Sequence, residues 1–356
     1  MLVEQIRNKD LLEKSINEMK KENPAANLQL LEKTIGALYL VENLVNNGLD
    51  FIFKGGTSLV LLLNDLKRFS VDVDIITDES REKVLQCIKN IVQNNDLFTR
   101  YEENIRENSA SQRMELQHFK FFFKSATDES EKYILLDVAY EDNKYPETIT
   151  KKIQNNKLKV ASESVVKLPS IESILGDKLT VLATKTTGIS YNSSKELELM
   201  KQLYDVDKLF NESENVKIIK DSFIGIANRE LKYRKLFEVT YDDVLDDIEG
   251  FCNDIVLLNQ ENIEKINSGM KSLKNFILEK NFLIDIEVLI AASKVLYLID
   301  LIKNEKHTIE KYSENSVIPE INIPSEYKKR LNKIKKYNKE AYYYILKSFE
   351  QRNEKL

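Results

Sequence analysis

Apolar residues recur at three- and four-residue spacing from about Asp10 to Lys21. They do so again from Asn27 to Asn47, where Leu30, Leu31, Ile35, Leu38, Val41, Leu44 and Val45 share a face. With Pro24 between the two stretches, the pattern predicts two helices, and Asn46-Asn47-Gly48 supplies a stop. Phe51-Ile52-Phe53 suits a short buried strand. Gly55-Gly56 follows at once, and from Thr57 the spacing of Leu59, Leu62, Leu63 and Leu66 turns helical, so the unit reads as strand, glycine turn, helix.

Val71 to Ile76 alternates apolar and acidic residues, which puts Asp72 and Asp74 on one face of a strand. A helix is expected over Glu79 to Asn94. Two strands follow, Glu115 to Lys124 and Glu131 to Tyr140, around a polar turn at Thr127-Asp128-Glu129-Ser130. After strand character at Ser164 to Leu168, Pro169-Ser170 opens a helix to about Thr184, striped by Ile171, Ile174, Leu175, Leu179 and Leu182, with Asp177 and Lys178 on its flank. Another helix covers about Lys195 to Phe210. Beyond Asn211 strand signal almost vanishes; four or more helices are expected, with Val317 to Pro324 a loop and Ser325 the N-cap of the last. No internal repeat or low-complexity linker interrupts this order. The fold class is therefore α+β: a mixed-sheet core with helices, followed by an all-helical C-terminal domain, divided at 1–210 and 211–356.

A chain of 356 residues accommodates two ordinary domains, and 42% hydrophobic with 31% charged residues fits a folded protein rather than disorder. A net charge of −5 gives no global basic field, so nucleic-acid binding would need a local patch. Cys87 and Cys252 lie far apart in apolar surroundings, as expected of buried thiols in a reducing compartment. With only His118 and His307, a histidine-rich metal site is disfavoured, and any metal would be held by carboxylates. The charged start Met1-Leu2-Val3-Glu4-Gln5 reads against a signal peptide, and no run of about eighteen apolar residues reads as a membrane span; the expected address is the cytoplasm, with no membrane partner.

The chemistry concentrates in Lys54-Gly55-Gly56-Thr57-Ser58-Leu59 and Arg68-Phe69-Ser70-Val71-Asp72-Val73-Asp74. A glycine pair between strand and helix lets backbone N–H groups approach an anion, and the positive end of the following helix points at the same place, which suits a triphosphate. Two aspartates at i and i+2 of a strand project together, their roots roughly 6 to 7 Å apart. Carboxylates that close repel unless a cation joins them, and Mg²⁺ prefers such oxygen ligands together with phosphate oxygens. Asp137, which interrupts the apolar run Ile134-Leu135-Leu136-Asp137-Val138, is the candidate third carboxylate, because a lone carboxylate in a buried strand is costly without a partner. The plainer alternative pairs it with a lysine such as Lys124.

The Gly55-Gly56-Thr57-Ser58-Leu59 turn, the Arg68-Phe69-Ser70-x-Asp72-x-Asp74 strand, Asp177-Lys178-Leu179 and Leu203-Tyr204-Asp205-Val206 together resemble the AbiEii nucleotidyltransferase toxins, part of the polymerase-β-like nucleotidyltransferase superfamily. The likeness runs from about Phe51 to Phe210. It implies a metal-dependent nucleotidyltransferase, using Mg²⁺ or Mn²⁺ and a nucleoside triphosphate bound in the cleft between core and helical domain. It further implies a toxin of a toxin–antitoxin or phage-defence system with an antitoxin encoded nearby, acting on RNA, above all at the tRNA acceptor end. Carried over by position, Asp72 and Asp74 would hold the metal, Ser70 would contact phosphate, Lys178 would neutralise the triphosphate, and Asp205 would complete the catalytic set. Gly55, Gly56, Thr57, Ser58 and Arg68 would line the nucleotide pocket. The spacing departs from the simplest superfamily pattern, in which a Gly-Ser turn lies about ten residues before the aspartates, so the phosphate hydroxyl is left open among Thr57, Ser58 and Ser70.

Each residue has a plainer reading. Arg68 equally fits an ion pair that fixes the start of the strand, Lys178 and Asp205 fit the polar flanks of amphipathic helices, and Asp207 reads as a surface residue. Lys328, Lys329, Arg330, Lys333, Lys335, Lys336 and Lys339, interleaved with Tyr327, Tyr337 and Tyr342 to Tyr344, could face an RNA backbone, or form a solvated face over buried rings. Asp242-Asp243 and Asp246-Asp247 read as a solvated helix face. Two other functions compete: a nucleotidyltransferase acting on a small molecule or a protein side chain, and a nucleotide-binding module without catalysis.

Overall fold

The computed structural model describes residues 9–22, 27–63, 68–103, 116–278 and 283–353; the readings that fall on Met1–Gln5, Pro24, Leu66 and Glu115 lie outside them. Packing divides the chain into two compact units, 1–143 with 147–170 and 276–280, and 144–146 with 171–275 and 281–356. The division by packing thus falls after Ser170, where the sequence pattern placed it at residue 210. The physical reason is the helix that starts at Ile171: its Gly176 lies so close to the backbone at Ile219 and Phe223 that a Cβ there would meet Ile219 O at 2.5 Å. Ser222 also donates to Ser173 O at 2.6 Å.

The first unit is built on seven strands: β1 (Ile52–Lys54), β2 (Val73–Thr77), β3 (Phe98–Glu103), β4 (Leu116–Lys124), β5 (Glu131–Tyr140), β6 (Thr148–Asn155) and β7 (Val160–Pro169). Their order across the sheet is β3-β4-β5-β2-β1-β7-β6. β2 runs parallel to β5 and β1 parallel to β7; the remaining neighbours are antiparallel. The helices are α1 (Lys9–Glu22), α2 (Leu28–Asn46), α3 (Gly55–Leu62) and α4 (Arg81–Gln93). Asn27 caps α2 by accepting from Gln29 N and Leu30 N, and Ser80 caps α4 by accepting from Lys83 N. Ile134, Leu136 and Val138 of β5 face the core, where Gly36 of α2 lets Ile134 approach. Tyr133, Leu135 and Asp137 occupy the opposite, more open face.

Three local expectations change. The glycine pair is no separate turn: α3 begins at Gly55 itself, whose φ of +75° reverses the chain in one residue. β2 starts at Val73, so Asp72 stands exposed just before the strand rather than within it. β3 and β6 were not foreseen.

In the second unit the described residues form α5 (Ile171–Thr180), α6 (Glu196–Glu212), α7 (Val216–Tyr233), α8 (Tyr241–Leu257), α9 (Ile263–Leu273), α10 (Ile284–Lys303), α11 (Ser325–Tyr337) and α12 (Lys339–Asn353). α5 ends four residues early because the following loop takes its last carbonyls: Thr187 Oγ1 donates to Thr180 O at 2.7 Å and Ile189 N to Val181 O at 3.1 Å. The expected final helix is two, interrupted at Asn338, whose backbone is extended. Tyr327 and Tyr342 to Tyr344 bury their rings while Tyr337 is exposed, so most of the aromatic run is core. Among the described residues no helix is long and apolar enough to cross a membrane.

Candidate functional site

The first unit assembles most of the expected residues. Antiparallel register sets Lys54 opposite Asp74, parallel register sets Asp74 beside Asp137, and the β4–β5 pairing sets His118 opposite Asp137. One row across the sheet therefore reads Lys54, Asp74, Asp137, His118. Two carboxylates side by side on neighbouring strands repel, and a cation between them removes the penalty. Asp72 enters from the segment just before β2.

Gly55 explains why the glycine pair adjoins this row. A Cβ on Gly55 would lie 2.0 Å from Asp74 Oδ2, so only glycine leaves room for that carboxylate at the start of α3. A Cβ on Gly56 would meet both an Arg68 guanidinium nitrogen and Ser70 Oγ at 2.7 Å. Arg68 is buried, donates to Phe69 O at 2.9 Å, and is pinned by a bridge between its backbone and Ile277. The α3 N-terminus has no side-chain cap at Lys54. Backbone donors, an arginine and a hydroxyl thus gather beside the carboxylates, as an anion pocket requires.

The three candidate hydroxyls are not equivalent. Thr57 Oγ1 donates to Asp72 O at 2.5 Å and Ser58 Oγ to Gly55 O at 2.8 Å, both fully buried. Their side chains hold the turn together, and what they can offer a ligand is backbone. Ser70 alone of the three is partly exposed.

Asp137 does not pair with Lys124, which lies opposite Glu131 at the far end of the hairpin and bonds Glu129 at 3.9 Å. Its Oδ1 accepts from His118 Nδ1 at 2.7 Å, while the buried His118 Nε2 has no partner among the described residues. This contact fixes the carboxylate's orientation. Register shows how this residue could have been found: counting back from the polar turn pairs position 118 with 137. Lys33 on α2 had no such signal. Burial holds its ammonium below the ordinary lysine range, against the opposing pull of Asp72.

Lys178 and Asp205, in the second unit, are not on polar flanks. Lys178 is 4% and Asp205 1% exposed, and Lys178 Nζ lies 2.8 Å from Asp205 Oδ2 and 2.9 Å from Gln202 Oε1. Asp207, expected at the surface, is also buried and binds Lys294 at 2.8 Å; Asp247 accepts from Lys185 N and Thr186 N, both at 2.8 Å. Both sit where lysines or loop amides from neighbouring segments converge, which helical periodicity does not report.

Among the described residues no group of three or more acidic, histidine or cysteine side chains converges as a ready-made metal cage. The donor chemistry nevertheless fits a hard divalent cation: oxygen ligands only, on adjoining strands, with phosphate-binding groups beside them.

The model of the nucleotidyl transferase AbiEii toxin, Type IV toxin–antitoxin system, matches residues 38–274, two thirds of the chain, and spans Asp72, Asp74, Asp137 and Asp205. The protein belongs to the AbiEii nucleotidyltransferase toxin family. This AbiEii chain is accordingly a nucleotidyltransferase of the toxin–antitoxin type, an enzyme that draws on a nucleoside triphosphate. Among solved structures it is similar to JHP933 from Helicobacter pylori, with 15% identity and a TM-score of 0.48, covering 79% of this chain and 96% of that one. It is also similar to an antigenic nucleotidyltransferase-like protein from Paracoccidioides brasiliensis, with 15% identity and a TM-score of 0.37 over 58% and 90% of the two chains. No curated protein matches this sequence.

Proposed function

We propose that this AbiEii chain is a metal-dependent toxin that transfers a nucleoside monophosphate from a nucleoside triphosphate to RNA, at the acceptor end of tRNA. The observation that carries the reading is the pairing of Asp74 with Asp137 against the glycine that starts α3. Mg²⁺ or Mn²⁺ held by Asp72 and Asp74 would acidify the attacking hydroxyl and offset charge on the leaving oxygens, with Asp137 beside them as the proton acceptor. The α3 N-terminus with Gly55, Gly56 and the backbone of Thr57 and Ser58 binds the triphosphate, Ser70 donates its hydroxyl to it, and Arg68 adds positive charge. The acceptor oxygen forms a bond to the α-phosphorus as the bond to pyrophosphate breaks, and the acceptor's proton passes to Asp137 Oδ2. His118 holds the other oxygen. Lys178 and Asp205 act in this reading as a buried pair that orders α5 and α6.

RNA is favoured by α11, where Lys328, Lys329, Lys333, Lys335 and Lys336 all stand exposed on one short helix. The test is purified protein with each α-labelled nucleoside triphosphate, Mg²⁺ and total tRNA. Label on tRNA is expected; label on the protein or on a small molecule, with none on RNA, would replace this reading by its competitor.

A further inference from the structure

The open face of the sheet continues past the carboxylates. On β5, Tyr133, Leu135 and Asp137 point the same way, and the paired positions on β4 are Phe122, Lys120 and His118. Tyr133 is 38% exposed, which is high for a ring on a sheet. Two ammonium groups rest on it: Lys33 Nζ lies 4.9 Å and Lys120 Nζ 5.2 Å from its centroid. Of the carboxylates nearby, Asp72 attracts the Lys33 ammonium. Glu102, the residue paired with Lys120 on β3, is taken by Arg100, which also binds Glu131 at 2.8 Å and so closes the cationic strip at its outer edge.

The placement of this ring is directional. The Gly55 turn adjoins Asp74 from the β1 side, whereas Tyr133 and Lys120 stand on β5 and β4, across β2 from that turn. In-line transfer puts the leaving pyrophosphate and the attacking hydroxyl at opposite apices of the phosphorus. With pyrophosphate at the glycine turn, the acceptor approaches from the side of β5 and β4. Tyr133 is four residues from Asp137 along one strand, about 13 Å, a distance that a short single-stranded end spans.

We propose that Lys33, Tyr133 and Lys120 form the acceptor subsite, in which a base of a single-stranded RNA end stacks on the Tyr133 ring and the two ammonium groups move from the ring to the flanking phosphates. This rests on the RNA reading above. An ammonium over an exposed ring is a weak contact that a base and its phosphates displace, and stacking tolerates any base because each presents a π-face. The subsite therefore holds the strand without reading its sequence.

Fluorescence anisotropy of a labelled RNA with a single-stranded 3′ end, measured on the full chain without nucleotide, tests it. Wild type is compared with Tyr133→Phe, Tyr133→Ala and the double variant Lys33→Ala/Lys120→Ala, each checked by circular dichroism and by its affinity for Mg²⁺ and nucleoside triphosphate. Tyr133→Phe is expected to bind as wild type does. Tyr133→Ala is expected to bind about tenfold more weakly, and the double variant to bind more weakly with a shallower salt dependence. Tyr133→Phe and Tyr133→Ala should keep their triphosphate affinity. Equal RNA affinity in wild type, Tyr133→Ala and the double variant overturns the subsite while leaving the RNA reading in place. A wild type that binds triphosphate but neither binds nor labels RNA removes the RNA reading and the subsite with it. Triphosphate affinity falling together with RNA affinity in Tyr133→Ala would overturn the subsite by moving the ring into the nucleotide pocket.

Discussion

At Gly55 a single missing carbon decides the site. Its φ of +75° and the Asp74 carboxylate where a Cβ would stand both exclude any other residue. Gly55→Ala should therefore cost about 1–3 kcal/mol in backbone strain and displace Asp74, lowering transfer at least about tenfold. Thermal unfolding together with steady-state kinetics checks this, and an alanine variant with both values intact would refute the steric account. Lys311 shows a second residue-scale effect, in the helical unit. It donates to Phe210 O, and its Nζ lies 3.9 Å from the Phe210 ring centroid. Burial first, and then the like charge of Lys294, push its ammonium from 10.5 down to about 8. The folded state thus releases this proton before the unfolded chain does, so the destabilisation is full below pH 8 and is relieved as pH rises from about 8 to 10.5. Lys311→Met, which keeps the packing stem, should be more stable than wild type near pH 7 and lose that advantage towards pH 10. Denaturant titrations across the range decide, and a pH-independent difference would contradict the assignment.

Elements were legible in proportion to how strongly one face is buried. The core strands β2, β4 and β5 announce themselves by apolar alternation and were placed within about two residues. The two strands that were missed, β3 and β6, are the edges of the sheet, where Thr99-Arg100-Tyr101-Glu102-Glu103 and Lys151-Lys152 carry charge that blunts the edge and hides the period. Of the candidate site, the neighbouring places of Asp74 and Asp137 follow from strand spacing, whereas Asp72, just before β2, and Gly55, already inside α3, depart from the period of two. His118 required the hairpin register, and the burial of Lys178, Asp205 and Asp207 required knowing which helices pack together. The Lys178–Asp205 pair joins α5 to α6, and breaking it should be costly in an instructive way. Lys178→Ala alone leaves a buried carboxylate and should destabilise by about 3–5 kcal/mol, whereas Lys178→Met/Asp205→Leu should recover most of that loss. Equal damage in the single and double variants would show that the lysine has work outside the pair.

For the molecule as a whole, the α+β core and the helical remainder follow from the hydrophobic pattern, while membership of the AbiEii family rests on a match that spans both units. The central claim is that Asp74 and Asp137, neighbours on parallel strands, are the working carboxylates of a nucleotidyltransferase. Pyrophosphate release from nucleoside triphosphate in the presence of tRNA and Mg²⁺, compared between wild type and Asp74→Asn, tests it most directly. The variant, folded by circular dichroism, is predicted to lose about a hundredfold or more of the rate; a folded Asp74→Asn enzyme that releases pyrophosphate as fast as wild type would contradict the account.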